Sequence, residues 1–101
     1  MSLTDQELHG RVVLSQDGVV VGEITKLIVN PVDFRIDAIE VKLRKSAAEL
    51  IGASRSLLHA ATLQISTRSI QSIGDAVILS VPVDTLRQVQ PAPATESVSS
   101  H

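Results

Sequence analysis

Apolar residues along this chain fall into short bursts separated by turn-forming clusters, and several of the bursts repeat with a period of two. Val12-Val13-Leu14 and Val19-Val20-Val21 flank Ser15-Gln16-Asp17-Gly18. Gly18 can take positive φ and Asp17 can bond its own backbone, so the segment predicts a β-hairpin. Gly22 interrupts the second strand, as a bulge or the bend of a small barrel does, and Ile24 to Val29 resumes it. Asn30-Pro31-Val32-Asp33-Phe34-Arg35 combines turn formers with a proline that cannot donate to a ladder, which predicts a reversal before a strand from Ile36 to Leu43. There Ile39, Val41 and Leu43 alternate with Ala38, Glu40, Lys42 and Arg44, one face buried and the other wet. Leu63 and Ile65 alternate with Thr62, Gln64 and Ser66 in a further strand, and Ser69 to Gly74 reads as a turn-like approach to a last strand from Ala76 to Val81.

The period changes in three places. Thr4-Asp5-Gln6-Glu7 has the spacing of a capping box, with Leu3 and Leu8 placed as a hydrophobic staple, and predicts one helical turn ending at Gly10. Ser46-Ala47-Ala48-Glu49 repeats that spacing, and Ala47 to Ile51 predicts a short helix stopped by Gly52. Pro82 favours a helical start at Val83 to Leu86, because a first turn does not use its missing amide. Ser54 to Ala61 fits either a helical turn or an extended connection. The chain divides into a domain over 1–89 and a Pro-, Ala- and Ser-rich tail over 90–101 that is expected to stay flexible.

Five or six short strands with one or two short helices predict a mainly β fold, a small SH3-like β-barrel. Val12, Leu14, Val19, Val21, Ile24, Leu27 and Val29 are expected to line it. Val13, Val20, Ile28 and Ile78 then point away from the core. Either the segment 44–61 folds back over those residues, or they meet a second copy together with Leu57 and Leu58. A contiguous apolar patch usually marks an interface, so the expectation is a symmetric homodimer.

Composition narrows the chemistry. The 101 residues contain no cysteine, so packing and not a disulfide must stabilise the domain, and a reducing compartment suits it. The first ten residues lack the basic and apolar regions of a signal peptide, and no apolar run spans a bilayer, so the chain is expected to be cytoplasmic without membrane insertion. His9, His59 and His101 are scattered, no serine sits in a nucleophile elbow and no glycine-rich loop precedes a helix. No metal, cofactor or catalytic residue is therefore expected. Lys42, Arg44, Lys45 and Arg55 form one basic cluster on a chain of net charge −2. With Phe34 the single aromatic residue, stacking on bases is not available, so an RNA-processing or ribosome-assembly role would rest on salt-sensitive phosphate contacts. A protein partner is favoured over nucleic acid.

The stretch "GRVVLSQDGVVVGEITKLIVNPVDFRIDAIEV" followed by "IQSIGDAVIL" resembles the PRC-barrel family, named after the cytoplasmic domain of the photosynthetic reaction-centre H subunit. The matching features are Gly10 opening the first strand, Asp17-Gly18 in its hairpin, Gly22 before an apolar strand, the Ile36 to Val41 strand, and Ile73-Gly74-Asp75 before the last strand. Together they cover roughly Leu8 to Leu86. The resemblance implies a PRC-type barrel and a non-enzymatic adaptor or assembly role, with no shared catalytic residues to carry over. The family includes a domain of a ribosome-maturation protein, the reaction-centre subunit and small stand-alone chains, some linked to archaeal cell division. Without a membrane helix or a second domain, this chain is most similar to the stand-alone members.

Overall fold

The computed structural model describes residues 2–52 and 61–88. Strands β1 (Val12–Leu14), β2 (Val20–Asn30), β3 (Arg35–Leu43), β4 (Thr62–Ser66), β5 (Ile70–Ile73) and β6 (Val77–Leu79) form one mixed sheet in the order β4-β3-β2-β1-β6-β5. All neighbours are antiparallel except β1 and β6, which run parallel. No ladder joins the edge strands β4 and β5, so the sheet is open, although the 3-10 turn Thr67–Ser69 carries the chain directly from one edge to the other. The expected mainly β fold is therefore present as a six-stranded mixed sheet. No helix among the described residues is long and apolar enough to cross a membrane.

Helix α1 (Asp5–Leu8) starts as its sequence dictates. The Glu7 amide donates to Thr4 Oγ1 at 3.1 Å, and the Thr4 amide donates to Glu7 Oε1 at 2.9 Å. Helix α2 (Lys45–Leu50) instead has Arg44 in its N-cap position, with no side-chain cap. Ser46 thus lies inside the helix and the second capping box does not form. Gly52, at φ 73°, ends the helix as expected. Ala48 of α2 and the C-cap residue Ile51 join Val83 and Leu86 of the 3-10 helix Val83–Gln88 in one core with Val21, Ile24, Ile39, Val41, Leu63, Val77 and Leu79.

Bulges set which side chains enter that core. Val13 pairs with Gly22 but Leu14 pairs with Val20, so Val21 is an extra residue on β2. The slip reverses the expected parity of β1: Val13 is fully buried, whereas Val12 and Leu14 are half-exposed. Val13 is therefore a core residue and not the interface residue that alternation predicts. Across β3, a Cβ at Gly22 would collide with the Lys42 carbonyl, so this position requires glycine. Thr25 is a second extra residue, between the pairs Ile24↔Val41 and Lys26↔Glu40, and its hydroxyl lies 3.2 Å from the Glu40 carbonyl. This bulge keeps Ile24 and Leu27 on the core side, while Val29 ends up exposed rather than inside.

Two further differences from expectation concern the second half. Ile70–Ile73 is a strand, β5, where a turn-like approach is predicted, and it pairs with β6 through Ile70↔Leu79 and Ile73↔Val77. The turn between them closes through the Gly74 amide on the Ala76 carbonyl at 3.0 Å, with the Arg11 guanidinium on the Gly74 carbonyl. Asp75 is exposed and makes no side-chain cap among the described residues. Asp17 does more than shape its own turn. Its carboxylate accepts from the buried Ser15 hydroxyl and from the Val83 amide at 3.1 Å, fastening the β1–β2 turn to the last 3-10 helix. The Ser15 bond is the main reason the Asp17 carboxyl is held below its ordinary pKa; partial desolvation opposes it, and the amides of Val83 and Asp17 add to the lowering.

Candidate functional site

Strands β2 and β3 outrun their neighbours. β1 pairs with β2 only from Val20 to Glu23, and β4 pairs with β3 only from Ala38 to Lys42. The rest of the two strands continues as a two-stranded arm through Val29↔Ile36 and Asn30↔Arg35. Thr67 braces its base, its hydroxyl lying 3.1 Å from the Ile36 carbonyl and 3.2 Å from that of Asp37.

The arm carries apolar side chains where water would be expected to select polar ones. Val29 is 45% exposed, Val32 92%, Phe34 84% and Ile36 40%. They form most of the large exposed apolar residues of the described chain, which also include Leu3, Leu50 and Ile73. Isolated exposed valines need no explanation, but a cluster on a projecting ribbon does.

Local hydrogen bonds fix the tip. Asn30 Oδ1 accepts from the Val32 amide at 2.9 Å, its carbonyl accepts from the Phe34 amide at 2.7 Å, and Asp33 Oδ1 accepts from the Arg35 amide at 3.2 Å. The resulting loop places Phe34 at φ 62°, a left-handed conformation suited to glycine or asparagine. A bulky aromatic residue there costs on the order of 1–2 kcal/mol. Buried contact within the chain does not offset that cost, because the ring stands in solvent.

Beside the base of the arm, α1 and β2 enclose an open groove of about 450 Å³. Ile24, Leu27 and Val29 supply its apolar wall, with Asp5, His9 and Lys26 among the polar residues around it. The capping box sets the start of α1, and two backbone bonds tie its exit to β2: Gly10 amide to Ile24 carbonyl at 2.7 Å, and Ile24 amide to Arg11 carbonyl at 3.1 Å. The groove thus stands on two anchored elements.

Of the residues singled out in the sequence, Val20 and Ile78 flank Leu14 in register, forming a half-buried apolar row across β2, β1 and β6. Ile28, also half-buried, pairs with Ala38 at the base of the arm. Leu57, Leu58 and Arg55 lie outside the described residues. In the basic cluster Lys42 and Lys45 are exposed, but Lys42 sits opposite Glu23. Arg44 grips that same Glu23 through Nε at 2.9 Å and Nη2 at 2.8 Å. One carboxylate therefore balances part of the positive charge that the linear sequence suggests.

The arm was missed as a site because period-two patterning cannot tell a strand inside a sheet from one that continues past it. A signal was present in "NPVDFR", where a phenylalanine occupies the last position of a four-residue loop closed by Asn30 and Arg35. Comparison with protein-family models and with curated proteins finds no match for this chain.

Proposed function

We propose that this chain is a non-enzymatic protein-interaction or assembly module of the PRC-barrel kind, which acts as a homodimer. The observation that carries the reading is Phe34: an aromatic side chain held at positive φ and 84% exposed at the end of a braced arm. Such a residue lowers the stability of the isolated chain and is accounted for by a contact made outside it. Support for the PRC-type fold comes from the strand succession and from the glycines at the expected turns. The sheet itself is open, with the 3-10 turn Thr67–Ser69 linking its two edge strands in sequence.

The contact is assigned to the arm in preference to the Val20–Leu14–Ile78 row. That row is half-covered, whereas Val32 and Phe34 at the arm tip stand almost fully in solvent. A nucleic-acid role draws less support, since Glu23 engages Arg44 and opposes Lys42.

Light scattering after size exclusion, at low and high salt, tests the proposal. The expected result is a salt-stable mass near twice the monomer that falls to the monomer in Phe34→Asp. A dimer that dissociates with salt and ignores Phe34→Asp would instead point to charged contacts and sink this reading.

A further inference from the structure

We infer that the occupant of the α1–β2 groove is the arm tip of a second copy of this chain, with Phe34 of each protomer seated in the groove of the other. This inference rests on the dimeric reading above and specifies its geometry.

Reach excludes the chain's own tip. The arm ladder continues from Leu27↔Ile39, through a one-residue bulge at Asp37, to Asn30↔Arg35, which places the tip on the order of 10 Å beyond Leu27 at about 3.3 Å per residue. Phe34, exposed as it is, makes little contact with its own protomer. Its natural seat is therefore on another molecule, and the groove is an apolar-walled recess large enough for an aromatic side chain.

Area decides between one-way and reciprocal docking. Counting an aromatic side chain at about 200 Å², Phe34 and Val32 together present on the order of 300 Å². With the matching groove wall, one tip buries about 600 Å², below the roughly 1,200 Å² at which specific interfaces begin. Two tips in two grooves reach that value. Reciprocity also closes the assembly at two copies, whereas one-way docking would propagate into a ring or a filament.

The position of the axis follows. The groove follows β2 from Ile24 to Val29 and the tip comes directly after it, so two arms pack antiparallel about a dyad close to the junction of the two. Lys26, which has no ion pair among the described residues, then lies at the mouth that receives Asp33 from the partner's tip.

The absence of cysteine makes cross-linking a clean test. Gln6→Cys marks the groove and Val32→Cys marks the tip; both positions are exposed, so neither change threatens the fold. A short bismaleimide added to a mixture of the two variants should give a covalent dimer. Either variant alone should give little, because like positions stand apart on the two protomers. Phe34→Asp should weaken association at least about thirty-fold, as loss of a central anchor does. A wild-type dimer in which the mixture is not joined, or is joined no better than each variant alone, overturns this geometry while leaving the interaction module standing. A wild type that remains monomeric to millimolar concentration overturns both.

Discussion

The Phe34 amide donates to the Asn30 carbonyl at 2.7 Å, and that bond closes a loop whose last residue is the only non-glycine position with positive φ among the described residues. The same bond that presents the ring imposes its backbone cost. Phe34→Asn should therefore raise the stability of the monomer by about 1 kcal/mol while abolishing association. Urea denaturation at a concentration too low for dimers measures the first effect. Unchanged or lower stability would show that the ring makes compensating contacts within its own chain.

Two glycines separate conformational need from steric need. Gly18 takes φ 85° with open space around it, so Gly18→Ala should cost about 1 kcal/mol. A methyl group at Gly22 meets the β3 backbone at Lys42, and Gly22→Ala should cost about 3 kcal/mol or prevent folding. Equal denaturation midpoints for the two variants would contradict the close approach of β2 and β3.

The bulge at Val21 makes neighbouring valines behave differently. Val13→Asp places an uncompensated carboxylate in the core and should leave the chain unfolded by circular dichroism. Val20→Asp, on the half-exposed row, should give a folded protein with its oligomeric mass unchanged. A folded Val13→Asp would mean that β1 pairs in the register of strict alternation after all.

Asp17 gives the fold a dependence on acid. Its carboxyl is held below the ordinary value of 3.8. The charged form therefore stabilises the fold fully above that value, and the contribution is lost as pH falls through the lowered folded-state pKa. Wild-type urea midpoints should drop on acidification below about pH 4, and Asp17→Asn should flatten that part of the profile. An identical acid slope in the variant would show that the link to Ser15 and Val83 adds nothing.

The Arg44–Glu23 pair is well formed but partly exposed, its side chains 49% and 32% accessible. A double-mutant cycle should give a coupling of about 0.5 kcal/mol that shrinks with added salt. A coupling several times larger and indifferent to salt would mean that the pair is effectively buried.

Much of this architecture was legible because its signals are local. Thr4 and Glu7 mark a helix start, Gly10, Gly18 and Gly52 mark ends and turns, and Ile39, Val41 and Leu43 keep an unbroken period along β3, which is paired with β2 and, as far as Lys42, with β4. Where the reading failed, a distant partner decides the outcome. Val13 faces inward because Val21 is an extra residue across the ladder, and Ser69 to Gly74 contains a strand because β6 is there to pair with it. Ser46 loses its cap because Arg44 already leaves β3 in extended geometry. The candidate site was the least legible part, since exposure of Phe34 depends on β1 and β4 ending short of the arm.

The parallel pairing of β1 with β6 bears on how the chain acquires its shape. Val13 takes its register from Val77, which lies near the far end of the described residues, and both are fully buried. Closing so long a loop is slow, and it cannot occur until most of the domain has been synthesised. During synthesis the first hairpin must wait with its apolar edge unpaired, so the exposed interval in the life of this protein falls at its beginning, and the arrival of Val77 to Leu79 ends it.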